Sequence, residues 1–223
     1  MISNIISIFN MTGMSFGEKV LYLLFFVMFV LFSLIIHEFA HGWVALKCGD
    51  PTAKWMGRLT LNPAKHLDPI GTLCMLFMRI GWAKPVPINP NNFRHYRRDY
   101  ILVSFAGIAA NTVIFLFSTF IAVLAQKNVS AIWIVYVFRF SVMLAQMNLC
   151  LAVFNLIPIP PLDGFKILDQ LVFKGNLNMS RQMMQYIQIG FLIVCVSGIL
   201  NRSLTMVINA VFSAVYSFFV TII

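Results

Sequence analysis

Long apolar stretches, separated by short polar segments, make up most of this chain. A helix needs roughly 20 apolar residues to cross the hydrocarbon core of a bilayer. Stretches that approach or exceed this length occupy residues 20–46, 100–125, 130–157, 184–200 and 204–223. The pattern therefore predicts an all-α polytopic membrane protein with about five transmembrane helices.

The start of the chain has a different pattern. Residues 1–15 carry isoleucine and phenylalanine on one helical face, which predicts an N-terminal interfacial segment. They lack the basic start and the small-residue cleavage site of a removable signal peptide, so we expect the first helix to remain in the mature protein. Ser15 with Glu18 matches a capping box, and Gly49 favours a stop. The first long helix should therefore run over about residues 16–48.

The composition excludes a soluble globule, because 60% of the residues are hydrophobic and only 10% are charged. A net charge of +9 would suggest a nucleic-acid partner for a soluble chain, but half of the 16 basic residues lie in one loop, residues 53–99. The positive-inside rule places this loop in the cytoplasm and the N-terminus outside, with Lys127 and Arg202 counting weakly against that orientation. We expect contact with the lipid bilayer and no nucleic acid.

The segment Ile36–Gly42 carries the most specific chemistry. On a helix, His37 and His41 lie one turn apart on the same face, so both can bind one zinc ion. Glu38 can then polarise a water molecule on that ion, which is the HExxH arrangement of metallopeptidases. His37 precedes the first charged anchor, Lys47, by ten residues, or about 15 Å of helix. The site should therefore lie below the cytoplasmic surface of the membrane.

A catalytic zinc ion normally has three protein ligands and a water, so the histidine pair needs a third ligand. Asp163 ends a proline-rich run, residues 155–164, that cannot continue as a regular helix and can bring an aspartate to the side of the first helix. His66 and Asp68 compete with it; they follow residues 57–63, whose alternation predicts a short strand. Spacing favours Asp163 and leaves the other two open.

Three motifs, in order, carry a resemblance to a known family. HEFAH at residues 37–41, GxxxN at residues 107–111 and the run at residues 155–164 together resemble the site-2 protease family of intramembrane zinc metalloproteases. Residues 57–69 and 83–90 also resemble the intervening loops of its compact bacterial members, which have no PDZ-like or nucleotide-binding extension.

The resemblance covers about residues 20–170 and makes His37, His41 and Asp163 the ligands of one zinc ion per chain, with Glu38 as general base. It implies hydrolysis of a peptide bond in or near the transmembrane segment of a membrane-protein substrate. Regulated intramembrane proteolysis and clearance of signal-peptide remnants are the two expected settings. The expected location is the bacterial cytoplasmic membrane, with the active site towards the cytoplasm and with a regulatory membrane partner or a homo-oligomer as further possibilities.

The resemblance also divides the chain into segments. Residues 16–173 form the expected catalytic membrane core, in which the first three long helices surround the site. Residues 52–92 are expected to hold a small membrane-associated β-hairpin and a re-entrant loop, whose sheet edge can pair with a substrate unwound into an extended strand. Residues 174–223 lie beyond the resemblance, and their two apolar stretches predict a C-terminal helical hairpin.

Asn111 and Asn155 are candidates for contact with exposed substrate backbone or with the developing oxyanion, because a side-chain amide both donates and accepts. Hydrogen bonding between helices is the alternative for each. Gly107 predicts close packing of its helix beside the first helix. Ile108 stands where the family commonly has proline, and Phe165 where a small residue often follows Asp-Gly; neither change removes a ligand.

Two other functions compete with proteolysis. A non-catalytic metal-binding membrane protein of the same fold would not need the carboxylate of Glu38. A membrane metal transporter would distribute ionisable residues across the depth of the membrane, whereas the four candidate site residues map near one side. The presence of Glu38 and the clustering of the site residues near one side both favour the peptidase.

Overall fold

Helices account for the regular secondary structure in the part of the chain that the computed structural model describes, residues 15–68, 84–128, 131–177 and 179–223. The α-helices in chain order are α1 (Phe16–Lys47), α2 (Thr52–Trp55), α3 (Pro63–His66), α4 (Tyr96–Lys127), α5 (Ile132–Asn155), α6 (Asp163–Leu168), α7 (Arg181–Val196) and α8 (Ile199–Ile222). A 3₁₀ turn, Pro90–Asn92, precedes α4, and a π-helical turn, Asp169–Phe173, follows α6. No β-strand forms in these ranges, which confirms the all-α prediction for them.

Four helices in the described ranges are long and apolar enough to cross a membrane: α1, α4, α5 and the Arg202–Ile222 part of α8. The stretch predicted at residues 184–200 forms α7, whose 16 residues fall short of the roughly 20 that a span needs. α4 begins at Tyr96 rather than near residue 100, because its first turn is polar and the apolar pattern marks only the part that crosses the membrane.

The ends of α1 follow the signals in the sequence. The Ser15 side chain accepts a hydrogen bond from the Glu18 backbone N–H at 3.3 Å, and the Glu18 carboxylate accepts one from the Ser15 N–H at 2.8 Å. This reciprocal pair confirms the predicted capping box. At the other end the helix stops at Lys47, and Gly49 adopts φ +109°, a left-handed conformation that favours glycine.

α1, α4 and α5 pack against one another through apolar and polar contacts. The rings of Phe25 on α1 and Phe140 on α5 stack with their centroids 3.9 Å apart. Deeper in the same interface, Asn148 Nδ2 donates to Ser33 Oγ at 2.9 Å, and both side chains are fully buried. A hydrogen bond between buried side chains adds specificity where lipid offers no partner. These contacts fix the three helices that surround the site.

The loop between α1 and α4 differs from the prediction in its first part. Residues 57–62 form no strand, and α3 follows them at once. Asn62 caps α3 by accepting the Ala64 N–H at 3.0 Å, and Pro63 occupies the first helical position, so local turn chemistry overrides the short alternation. Residues 1–14 and 69–83 lie outside the described residues, so the interfacial segment and the β-hairpin and re-entrant loop stay predictions.

Candidate metal centre

The two histidines of the HExxH segment lie on the buried face of α1. His37 and His41 are 5% and 6% exposed, and their Nε2 atoms are 3.0 Å apart. Two basic nitrogen atoms this close, in an apolar surrounding, need either a shared proton or a shared cation. The i, i+4 spacing of the helix is therefore enough to bring both donor atoms to one point.

Asp163 reaches the histidine pair from the opposite side. α5 ends at Asn155, the chain turns through its prolines, and Asp163 opens α6. Its Oδ2 lies 3.2 Å from His37 Nε2 and 3.0 Å from His41 Nε2. A Cβ on Gly164 would fall against the carbonyl oxygen of Leu156, so glycine is required for this tight turn.

The three donor atoms fit a metal ion. Their pairwise separations are 3.0, 3.0 and 3.2 Å. A tetrahedral zinc ion with bonds of about 2.05 Å separates its ligand atoms by about 3.3 Å, so only a small expansion of the triangle is needed. Two imidazoles and one carboxylate are also a donor set that zinc uses in hydrolases. Within the described residues, this His-His-Asp group is the cluster that meets the geometric requirement for a metal site.

Lys166 holds the second oxygen of the Asp163 carboxylate. Its Nζ donates to Oδ1 at 2.8 Å, which leaves Oδ2 directed at the histidines. Burial raises the pKa of Asp163, but the bonds to His37 and His41 and the charge of Lys166 outweigh burial and hold that pKa below its usual value. Lys166 thus orients the carboxylate and determines which of its two oxygens faces the histidines.

Glu38 contacts the loop that precedes α4. Its Oε2 accepts the backbone N–H of Val86 at 2.8 Å. Arg58 holds the same stretch from the other side, because its guanidinium donates to the carbonyl oxygens of Lys84 at 2.7 Å and Pro85 at 3.2 Å. Gly42 leaves room for this packing, since a Cβ there would lie 3.0 Å from the Val86 side chain.

α4 covers the remaining side of the histidine pair. The Val103 carbonyl oxygen lies 2.6 Å from His41 Nδ1, and the Asn111 amide nitrogen lies 3.2 Å from His37 Nδ1. Between them, a Cβ on Gly107 would lie 2.5 Å from both His37 Cε1 and His41 Nε2. The helix therefore approaches the rings as closely as it does because residue 107 has no side chain.

Comparison with known proteins assigns the chain to a family. Residues 123–197, a range that includes Asp163, match the family model of Peptidase family M50. A Bacillus subtilis protein named "Putative zinc metalloprotease YwhC" is 39% identical over 189 residues, which cover 83% of this chain and 86% of that protein. The chain belongs to peptidase family M50. The family assignment made from the three motifs is thereby confirmed.

Two further relatives share the name "Putative zinc metalloprotease Rip2". The protein from Mycolicibacterium smegmatis is 33% identical over 174 residues, which cover 74% of this chain and 63% of that protein. The protein from Mycobacterium tuberculosis is 32% identical over 146 residues, which cover 62% of this chain and 54% of that protein. This chain thus spans less than two thirds of both Rip2 proteins. No solved structure matches it.

In this M50 chain, the other candidate ligands lie in different surroundings. His66 is 1% exposed, and its Nε2 lies 2.7 Å from the Thr60 carbonyl oxygen, so that ring stabilises the loop. Asp68 is not part of the His-His-Asp group. The side chain of Asn155 donates to the Leu151 carbonyl of its own helix at 2.9 Å. The two asparagines predicted for substrate contact therefore differ: Asn111 reaches the histidines, whereas the side chain of Asn155 bonds within its own helix.

The two departures from the family pattern have local consequences. Ile108 is 2% exposed, and α4 continues through it without interruption because isoleucine keeps the backbone N–H that proline lacks. Phe165 is half-buried in α6, one residue after the tight turn at Gly164.

Three contacts of the candidate site were not predicted from the sequence. Val103 and Val86 act through their backbone groups, which no side-chain pattern reveals. Lys166 was within reach of sequence reasoning, because it lies three residues after Asp163 and so on the same face of a helix.

Proposed function

We propose that this chain is an intramembrane zinc metalloprotease that hydrolyses a peptide bond in or near the transmembrane segment of a membrane-protein substrate. The observation that carries the proposal is the triangle of His37 Nε2, His41 Nε2 and Asp163 Oδ2, with sides of 3.0 to 3.2 Å, built on an apolar helix next to Glu38. Membership of family M50 and the names of the relatives support the same activity.

His37, His41 and Asp163 would hold the zinc ion, and Glu38 would act as general base. Zinc bound there supplies Lewis acidity, which activates water and polarises the scissile carbonyl. Glu38 takes the proton of the attacking water and passes it to the leaving amine. The Val86 N–H holds Glu38 Oε2 in place, which leaves the other carboxylate oxygen for this proton transfer.

The depth of the site supports a substrate within the membrane. The histidines lie in the C-terminal half of α1, a helix of spanning length. Lys47, at the end of α1, lies over the ring of Trp43 at 5.6 Å, and a tryptophan next to a lysine is typical of the membrane–water interface. The basic loop that follows supports a cytoplasmic position for this end.

The segment before α4 bears on how a substrate strand binds. The Lys84 N–H donates to the His66 carbonyl at 2.8 Å, and the carbonyls of Lys84 and Pro85 accept from Arg58. The Val86 N–H is bonded to Glu38. These backbone groups are therefore engaged already, so we propose that an unwound substrate pairs with another part of the loop or displaces one of these bonds.

The substitution Glu38→Gln tests the function. Glutamine keeps the size of the side chain and removes its basicity, so the purified variant should keep one zinc ion per chain and lose cleavage of a membrane substrate by about 10²-fold or more. Substrates for the assay come from native membranes, by crosslinking to the Glu38→Gln variant. Zinc is measured by elemental analysis and cleavage by the appearance of product fragments.

The matched control is Glu18→Gln, at the start of the same helix. Glutamine at this position still completes a capping box, so both zinc content and cleavage should stay as in the unsubstituted protein. Undiminished cleavage by Glu38→Gln would contradict the proposed mechanism.

A further inference from the structure

Three residues of α4 face the histidine pair at a spacing of four. They are Val103, Gly107 and Asn111. On α1 the histidines have the same spacing, and the contacts run in opposite order: Val103 meets His41, and Asn111 meets His37. α1 and α4 are therefore antiparallel here, and one face of α4 supplies one partner to the outer nitrogen of each ring.

The partner of His41 is unambiguous. A carbonyl oxygen only accepts hydrogen bonds, so the 2.6 Å contact between the Val103 oxygen and His41 Nδ1 requires a proton on Nδ1. In a neutral imidazole the other nitrogen, Nε2, then carries a lone pair. That lone pair points at the centre of the donor triangle. A histidine that binds a metal there must direct a lone pair to this point.

The same logic applied to His37 identifies the role of Asn111. If His37 Nε2 is to bind the metal, its Nδ1 must carry the proton and donate it to an acceptor. The only acceptor of the neighbouring amide is Asn111 Oδ1, an atom that is buried and has no hydrogen-bond partner. Turning the amide by 180° keeps its shape, brings Oδ1 to His37 Nδ1 and gives that oxygen a donor, while Nδ2 moves to the place that Oδ1 leaves.

We infer that Asn111 is a positioning residue for the metal centre: its Oδ1 accepts the Nδ1–H of His37 and fixes that ring in the tautomer that binds a metal through Nε2. Its partner in this task is the backbone of Val103, which does the same for His41. The inference rests on the metal site of the proposed function. It assigns Asn111 to the protein's own ligand rather than to the substrate.

Asn148 provides a matched control on the neighbouring helix. It is also an asparagine with 0% exposure, its Oδ1 also lacks a partner, and its Nδ2 also bridges to α1, through Ser33 Oγ at 2.9 Å. The hydrogen bonds of its amide go to Ser33 and to the Leu144 carbonyl rather than to the His-His-Asp group. Asn111→Leu and Asn148→Leu therefore both remove a buried amide between two helices. Only Asn111→Leu also removes the acceptor that orients a metal-binding histidine.

The experiment compares zinc dissociation constants of the full chain in lipid nanodiscs, measured by competition with a fluorescent chelator. Asn111→Leu should weaken zinc binding by about 10- to 100-fold, as is usual for a lost outer contact of a ligating histidine, and Asn148→Leu by less than about threefold. Absorption of the cobalt-substituted protein should show a distorted site in Asn111→Leu and an unchanged one in Asn148→Leu.

Asn111→Asp tests the inference even if the leucine variant does not fold. Ionised aspartate keeps the shape and can only accept, so zinc affinity, measured at a pH at which the carboxyl is ionised, should stay within about threefold of the unsubstituted protein or increase. A loss of about tenfold or more in Asn111→Asp would show that the amide donates, and would overturn the inference. So would equal zinc affinity in Asn111→Leu and the unsubstituted protein. Neither result depends on cleavage, so the protease proposal is tested separately by Glu38→Gln.

Discussion

The candidate metal centre has a helical half and a loop half, which the chain positions by different means. The helical half lies on α1 and α4 and consists of His37, Glu38, His41, Val103, Gly107 and Asn111. The loop half reaches the centre from outside the long helices and consists of Asp50, Arg58, Val86, Asp163 and Lys166. In the helical half, a repeat of four residues on two packed helices sets the contacts of the two histidine rings. In the loop half, hydrogen bonds hold the residues in place, and most of these bonds join residues far apart in the sequence.

This difference determines how each half should respond to substitution. Packed helices leave no room beside the histidine rings, so an added atom must either move a ring or separate the helices. The loop half is held by several hydrogen bonds to each element, so the loss of one should shift its position or lower its local stability by a limited amount. We therefore expect larger losses of zinc affinity from added or lost atoms in the helical half than from lost hydrogen bonds in the loop half.

Gly107→Ala should break the helical half and give the largest effect. The new Cβ would lie 2.5 Å from His37 Cε1 and from His41 Nε2, well inside contact distance. Zinc affinity should fall by more than about 100-fold, beyond the range for a lost outer hydrogen bond, because both ligands must move. The measurement is the same chelator competition in nanodiscs.

Gly190→Ala is the control for the helix effect of this change. Gly190 lies within α7, and a Cβ there meets nothing within 4 Å. Alanine should leave zinc affinity unchanged and stabilise the helix by up to about 1 kcal/mol. If Gly107→Ala also keeps its zinc affinity, the close approach of α4 is not what fixes the ligands, and the contrast between the two halves fails.

The two halves also differ in how well the sequence predicts them. The histidine pair and the glycine of α4 can be predicted from helical periodicity, because that periodicity is visible in the local sequence. Asp163 required more: spacing alone left His66 and Asp68 open, and the structure separates them because the tight turn at Gly164 carries Asp163 back to α1. Such a turn depends on tertiary packing, which a pattern along the chain does not contain.

The errors in the fold have the same origin. The short strand expected at residues 57–63 was inferred from alternation, but a strand needs a partner, whereas α3 needs only Asn62 and Pro63 to begin. The long apolar helices were predicted to within a few residues at most ends, because burial in lipid requires a continuous apolar run. Local signals thus predict the helices, and contacts between distant residues decide the loops.

Lys166→Met should shift the loop half without dismantling it. The substitution removes the 2.8 Å bond to Asp163 Oδ1 and leaves a buried carboxylate oxygen without its cation. Asp163 Oδ2 still faces the histidines, so zinc affinity should fall by about tenfold, the lower end of the range for outer contacts of a ligand. Equilibrium zinc competition at constant ionic strength measures this change.

Lys174→Met is the charge-matched control. Lys174 is exposed at the end of the π-helical turn, so its replacement by methionine removes the same charge from the same region. Its zinc affinity should change by less than about threefold. Equal losses in both variants would mean that Lys166 acts only through the overall charge of this region of the protein.

Asp50→Asn should give the smallest effect on metal binding, because its effect falls on the stability of the loop. The Asp50 carboxylate accepts from the Asn89 N–H at 2.7 Å, from Asn92 Nδ2 at 2.8 Å and from both the N–H and hydroxyl of Thr52. It thereby ties the end of α1 to the loop that carries Val86. Asparagine keeps the shape but weakens these bonds, so local opening should become easier by about 1–2 kcal/mol. Faster hydrogen exchange at the Val86 and Asn89 amides reports it, with α5 as internal reference.

The effect of Asp50→Asn should also depend on pH. Burial raises the pKa of Asp50, but the hydrogen bonds from Thr52, Asn92 and Asn89 outweigh burial and lower that pKa below its usual value. A depressed carboxyl pKa adds stability that is present above the unfolded value, about 3.9, and is lost as the pH falls through the folded value. The difference in exchange should therefore be constant between about pH 5 and 8 and shrink only at lower pH. A difference that already disappears near neutral pH would show that another group holds the loop.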